Sequence, residues 1–312
     1  MLQFMSFIED QVKPGVDEII ERTVSEKFKD PNLTKLLTRG KRLRAGIVMA
    51  MQHAWGGDEQ AAMHLAAAVE LAHSASLICD DMIDADDTRR GQPARHITVG
   101  HKQAMLDTIG VISLPYELVA PYGEAYVRAL AKTQQSMVRG VIQEVIRNPG
   151  LPASALYDAI IAQKTGKLFQ LAAVYGYWNT GKSKHSKEIA AWGLHVGKGM
   201  QIADDIADLR KAAAGNASSK PGSEMVLLRC VTAEQLAREL VIDVKGGSLH
   251  PGRVKDLWEQ EGVQKSLQQV LDKQINAADE IMVGIHHVGI ARYVQILREV
   301  PHEIPIVMMN EV

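Results

Sequence analysis

The stretch HSASLICDDMIDADDTRRG, residues 73–91, puts Asp80, Asp81, Asp84, Asp86 and Asp87 within eight positions of an otherwise apolar run, with Arg89 and Arg90 following at once. On a helix, Asp80, Asp84 and Asp87 fall at i, i+4 and i+7 and share one face. Such a cluster repels itself in water. It becomes favourable around a hard divalent cation, and Mg²⁺ takes its oxygens from one or two carboxylates plus phosphates. The same D-D-x-x-D spacing returns in QIADDIADL as Asp204, Asp205 and Asp208. Two acidic stations, each set in an apolar run of helical period, are poorly explained as solvated surface and point to helices around an apolar cavity.

The rest of the composition narrows the class. A chain of 312 residues, 46% of them hydrophobic, can bury a large core. A net charge of −2 with no sustained basic block argues against a nucleic-acid partner. Two cysteines, Cys79 and Cys230, argue against a disulfide scaffold and for a reducing compartment. The start, MLQFMSFIEDQVKP, lacks a basic leader and a small-residue cleavage site. No run approaches the ~18 uninterrupted apolar residues of a membrane span. The expectation is a cytoplasmic enzyme without a transmembrane segment.

Taken in order, residues 3–28 carry apolar positions at helical spacing, and Pro31-Asn32 breaks the run. Lys41, Arg42 and Arg44 open a helix whose apolar run, Ile47 to Trp55, stops at Gly56-Gly57. Cations at a helix N-terminus oppose the dipole, so this cluster asks for an anionic partner. Asp58 begins an Ala/Leu-rich helix in which His73, seven positions before Asp80, faces the same way. The chain turns after Gly91-Gln92-Pro93 and runs helically from about Gly100 to Val119, with Pro115 expected to kink or end it. Residues 124–147 form an amphipathic helix that Asn148-Pro149-Gly150 stops. A helix starting near Ser154 carries Lys164 in mostly apolar company; a buried lysine is costly without a partner, so Lys164 with Thr165 is a candidate diphosphate contact. On the helix 188–209, Gln201, Asp204 and Asp208 share a face. The Gly/Ser-rich stretch at about 211–223, which holds Lys220, reads as a flexible loop able to close over a ligand. Helices are expected over 224–245, 252–261 and 263–292, and Pro301 and Pro305 leave an irregular tail. Neither strand alternation nor a compositional boundary is visible. The fold class is therefore all-α, one domain over 1–312 with about ten or more long, antiparallel helices.

With those residues in place the chain resembles the all-trans isoprenyl diphosphate synthases, the polyprenyl synthetase family. The resemblance covers nearly the whole chain and rests on GKRLR at 40–44, HSASLICDDMIDADDTRRGQPARH at 73–96, KTG at 164–166 and GMQIADDIADL at 199–209. It implies the isoprenoid synthase fold, a helical bundle around a deep cavity, and a homodimer. It further implies that an allylic diphosphate, held through three Mg²⁺ ions, condenses with isopentenyl diphosphate. By motif position, Asp80, Asp81, Asp84, Asp204 and Asp208 match metal-binding positions. Arg89, Lys164, Thr165, Gln201 and Lys220 match residues around the allylic diphosphate, and Arg229, after Glu224, stands where the family has a lysine. Lys41, Arg44, His73 and Arg90 match the metal-free pocket for isopentenyl diphosphate.

In the family, bulky residues four and five positions before the first aspartate often floor the cavity. Here they are Ser76 and Ala75, both small, which favours a product longer than farnesyl, with geranylgeranyl diphosphate the first choice and farnesyl or longer chains the alternatives. Met105, Leu106 and Ile109 are candidates for a lower floor. The chain departs from the family pattern at Cys79, commonly His; at Ala45, usually Pro; at Thr108-Ile109, often Gly-Asp; and at Val141, where Gln is common, with Glu144 for the Asp of that motif. None of these removes a metal ligand. A terpene cyclase would not need Lys41, Arg44, His73 and Arg90, and a non-catalytic partner subunit would usually have lost the acidic ligands.

Overall fold

The computed structural model describes residues 2–146, 152–215, 223–231, 251–260, 262–285 and 289–310, which are almost wholly helical. In chain order the elements are α1 (Gln3–Phe7), a π-turn (Ile8–Val12), α2 (Lys13–Phe28), α3 (Pro31–Leu37), α4 (Leu43–Trp55), α5 (Glu59–Asp84), the two-residue strands β1 (Thr88–Arg89) and β2 (Gln92–Pro93), α6 (Arg95–Val99), α7 (His101–Val119) and α8 (Glu124–Ile146). There follow α9 (Ala153–Ile161), a second π-turn (Ala162–Gly166), α10 (Lys167–Trp178), α11 (Ser186–Ala213), α12 (Ser223–Val231), α13 (Pro251–Trp258), α14 (Val263–Ile285) and α15 (Ala291–Met309). Two compact units result. One comprises Met1–Gln134, Leu171–Ser186 and His287–Leu297; the other comprises Gln135–Gln170, Lys187–His286 and Arg298–Val312.

The first unit is built on α5. Asp58 caps its start, accepting from the Ala61 amide at 2.6 Å, and Ala85 ends it in the left-handed region at φ 51°. Its alanines are buried, which lets α4 and α7 pack closely on either side. By length and composition α5 could cross a membrane, but its apolar residues form the core of this unit. The start of α4 has no side-chain cap of its own, because Arg42 precedes it at φ 57°. Glu70 of α5 supplies the missing acceptor, taking the Ala45 amide at 3.0 Å. Arg42 itself is buried, donating to Asp17 at 2.6 Å and to the Leu37 carbonyl at 3.1 Å, with Glu70 at 3.5 Å. The anions for this member of the basic run are therefore internal, and truncating either carboxylate would strand a buried charge at a cost of roughly 3–5 kcal/mol.

Several breaks expected from the sequence are helix starts or interiors instead. Pro31 is the first residue of α3, where its missing N–H costs nothing. Asp30 caps that helix and also receives Arg95 at 2.5 Å, while Arg95 donates to Asp107 of α7 at 2.7 Å. Pro115 sits buried inside α7 without ending it. Between Asp84 and α7 lies a hairpin pairing Thr88 with Pro93 and Arg89 with Gln92. Its loop, Arg90-Gly91, has φ 53° and 69°, the double positive φ that a tight I′ turn needs.

In the second unit, Leu156 and Ile160 of α9, Ile202 of α11, Leu227 of α12, Leu257 of α13 and Leu271 of α14 share one apolar core. α11 runs on to Ala213, so the expected loop at 211–223 begins later than the glycine and serine content suggests. Lys220 within it, the Asn148-Pro149-Gly150 stop and most of the helix expected over 224–245 lie outside the described residues. The final helix expected over 263–292 ends at Ile285. The tail is not irregular, because α15 passes through Pro301 and Pro305. Both prolines are buried, and packing outweighs the helix propensity they lack.

Candidate active site

The first unit carries the first acidic motif on the last turns of α5. Asp80 and Asp84 are half-buried one turn apart on the face that also holds His73 and Ser76. Asp81 points about 100° from Asp80 and about 60° from Asp84. It is 3% exposed, and Arg89 of β1 grips its Oδ1 with Nε at 2.7 Å and with Nη2. Burial raises the affinity of the Asp81 carboxyl for its proton and Arg89 opposes that. This aspartate is thus the buried member of the motif and holds the hairpin arginine. Arg90, at the hairpin tip, donates to the Arg39 carbonyl at 2.7 Å and lies against Gly40, where a Cβ would stand 3.0 Å from its Nη1.

Around His73 the positive charge is dense. Burial first, then Arg44, Arg90, Arg42 and Arg89, hold the His73 imidazole well below its usual value, so it is neutral at pH 7. Arg44 is pulled down to about 10, chiefly by burial, with Glu70 opposing and Arg90 adding. A desolvated Arg44 guanidinium repelled by the exposed Arg90, beside a neutral imidazole, is arranged to receive an anion. Lys41, half-buried at the start of this run, and Arg44, His73 and Arg90 are thus all in the first unit, as are Ala75, fully buried, and Ser76, whose hydroxyl turns back to the His73 carbonyl at 2.8 Å. Met105, Leu106 and Ile109 stand exposed on α7.

The second unit positions Lys164 and Thr165 in the π-turn after α9, a local widening often found at functional sites. Glycines set its place. A Cβ on Gly140 of α8 would lie 2.4 Å from the Lys164 amide nitrogen, and one on Gly197 of α11 would lie 2.8 Å from the Gly166 Cα. Gly140 also puts Glu144, one turn on, within 2.5 Å of the Lys164 ammonium. Thr165 donates to Gln201 at 2.6 Å, and Gln201 donates to Asp205 at 3.0 Å. Asp205 is 2% exposed and also accepts from Tyr157 at 2.6 Å and Ser223 at 2.8 Å; burial pushes its carboxyl well above the ordinary range. Asp204 is half-buried, while Asp208 is exposed and paired with Lys211 at 3.2 Å. In both motifs the second aspartate is the inward one. Tyr157, Asp205 and Ser223 were not singled out by the sequence; the D-D-x-x-D pattern does contain Asp205, but spacing alone does not say which carboxylate turns in.

Among the described residues no three His, Cys, Asp or Glu side chains converge as a self-sufficient metal cage. Asp80 with Asp84, and Asp204 with Asp208, are instead pairs of hard oxygen donors one turn apart. That donor set fits Mg²⁺, which binds through one or two carboxylates, water and substrate phosphates.

Residues 26–223 match the polyprenyl synthetase family, and the chain belongs to it. It is therefore an enzyme, a prenyltransferase of isoprenoid biosynthesis, and its fold is the all-α isoprenoid synthase fold. The geranylfarnesyl diphosphate synthase of Methanosarcina mazei is 27% identical over 256 residues, covering 80% of this chain and 84% of that protein. The farnesyl diphosphate synthase of Geobacillus stearothermophilus is 28% identical over 225 residues, covering 67% of this chain and 76% of that protein. The polyprenyl synthase of Caulobacter crescentus, whose crystal structure holds calcium and isoprenyl diphosphate, aligns with a TM-score of 0.82 at 21% identity over 98% of this chain and 97% of its own.

Proposed function

We propose that this chain condenses isopentenyl diphosphate with an allylic diphosphate in a Mg²⁺-dependent reaction and that its product is geranylgeranyl diphosphate. The observation that carries the proposal is on α5, where the cations about His73 lie two turns from the half-buried carboxylates of Asp80 and Asp84. The two diphosphates need different treatment. One must leave, taking the electron pair of its C–O bond as the allylic cation forms. The other must stay while its substrate's double bond attacks that cation, after which a proton is lost and the released diphosphate is its acceptor. Lys41, Arg44, His73 and Arg90 suit the diphosphate that stays, since they orient and neutralise it without activating departure. Arg89, Lys164, Thr165 and Gln201 suit the one that leaves, joined by Lys220 and Arg229 on the family resemblance. When bound, Mg²⁺ ions at Asp80, Asp84, Asp204 and Asp208, three in all by the same resemblance, add positive charge at the departing group.

Ser76 shares the Asp80 face and presents only a small side chain there, which supports a product beyond farnesyl. Ala75 lies on the buried side of the helix. The 312 residues are read as one domain because no compositional boundary interrupts the sequence, and the low cysteine count favours the cytoplasm. The exposed Met105, Leu106 and Ile109 on α7 support a homodimer.

The test is product analysis with Mg²⁺, isopentenyl diphosphate and, separately, dimethylallyl, geranyl and farnesyl diphosphates. A discrete geranylgeranyl product supports the assignment, whereas a farnesyl or longer product corrects the chain length. Ionisation of an allylic diphosphate without use of isopentenyl diphosphate would make the chain a cyclase, and complete inactivity would favour a partner subunit. Asp80→Ala and Asp204→Ala should each lower kcat by a factor of about a hundred or more while the helical circular dichroism stays unchanged.

A further inference from the structure

We infer that Tyr157 is a positioning residue for the allylic-diphosphate site, acting through Asp205 and Gln201 on the turn that holds Lys164 and Thr165. The inference rests on the reading above that this turn faces the allylic diphosphate.

The hydrogen-bond chain has one consistent direction. The Gln201 side-chain amide donates from its nitrogen to Asp205 Oδ1 at 3.0 Å, where the Ser223 hydroxyl also donates. That leaves the Gln201 carbonyl oxygen to face Thr165, which donates its one hydroxyl proton at 2.6 Å. With that proton engaged, Thr165 pins the π-turn to α11, and the Gln201 amide retains a second N–H for an anion. Tyr157 fixes the other end of the chain, donating to Asp205 Oδ2 at 2.6 Å from a ring that is almost wholly buried.

Tyr157 and Thr165 therefore tie one continuous helical stretch, α9 and the turn after it, to α11 at two points about one helical turn apart on α11. Two points set a register where one would leave a pivot. Asp204, on the same turn of α11, is thereby held in register with Lys164. Ser223 brings the first residue of α12 to the same carboxylate at 2.8 Å. Without the Tyr157 hydroxyl, Asp205 Oδ2 has no donor, the carboxyl can rotate, and the Gln201 amide can turn over.

Tyr157→Phe keeps the ring and removes only the hydroxyl. The Michaelis constants for the allylic substrate and for isopentenyl diphosphate are measured separately, with the affinity for inorganic diphosphate in the presence of Mg²⁺ measured by calorimetry as a readout independent of turnover. A misplacement well under 1 Å should raise the allylic KM and weaken inorganic diphosphate by roughly three- to tenfold, leaving the KM for isopentenyl diphosphate within about twofold. Thr165→Val combined with Tyr157→Phe should cost little more than the worse single change, because both break one chain of contacts. Asp205→Asn carries the same test if Tyr157→Phe does not fold. An unchanged allylic KM and diphosphate affinity with only a lowered melting temperature would make Tyr157 a stabilising residue and overturn the inference alone. Failure of the unmodified chain to consume isopentenyl diphosphate would instead remove the functional reading and this inference with it.

Discussion

The aspartates show how alike residues take unlike roles. Asp80 and Asp84 stand on a face with His73, while Asp81 between them is spent on Arg89, and Asp205 is spent on Tyr157, Ser223 and Gln201. The spacing reveals a ligand-bearing face but not the inward member, because rotation of about 100° per residue places neighbours on different sides whatever their chemistry. That His73 shares a face with Asp80 was legible from its register. Its neutrality was not, since that depends on burial and on four arginines from two other segments. The consequence is measurable. Folding depresses the imidazole below its ordinary value of 6.5, so below that pH the unfolded chain takes up a proton that the folded chain refuses. Stability from this group is complete above pH 6.5 and declines as the pH falls towards the folded value, at no more than about 1.4 kcal/mol per pH unit. Denaturant titrations of His73→Gln should show a shallower decline between pH 6.5 and roughly 5; an identical slope would assign the decline to other groups.

Helices were legible wherever a cap and an apolar period agreed. Asp58 and Gly56 mark boundaries that the structure keeps. Prolines misled in both directions, because Pro31 begins a helix and Pro115, Pro301 and Pro305 lie within helices whose packing outweighs the lost hydrogen bond. The hairpin at 88–93 was not foreseen, since two-residue strands carry no alternation. Close backbone approach is equally silent in a single sequence. Gly140 reads as an ordinary helical glycine, yet it admits the π-turn to van der Waals contact. Gly140→Ala should therefore lose about 1–3 kcal/mol by overpacking, despite the higher helix propensity of alanine, and should also raise the allylic KM. A denaturant midpoint at or above that of the unmodified chain would show that α8 can yield without cost.

For the whole molecule, the sequence supports the family and fold, which residues 26–223 and the solved relatives bear out. Product length is less legible, because a floor is set by which side chains meet a tail, and Met105, Leu106 and Ile109 prove exposed. Their position on α7 gives the assembly a test. Ile109→Glu should convert a dimer to a monomer in sedimentation velocity, and a chain already monomeric before the change would refute the homodimer. The cation cluster around His73 has a further consequence. On the proposed reading Arg44 and Arg90 take a diphosphate head through charge and donor geometry, and nothing in those groups senses the hydrocarbon attached to it. The inorganic diphosphate released at each turnover carries the same head. Under that proposal, flux through this enzyme is tied to how quickly its surroundings hydrolyse the by-product, so arginines that capture a substrate also make the catalyst responsive to its own waste.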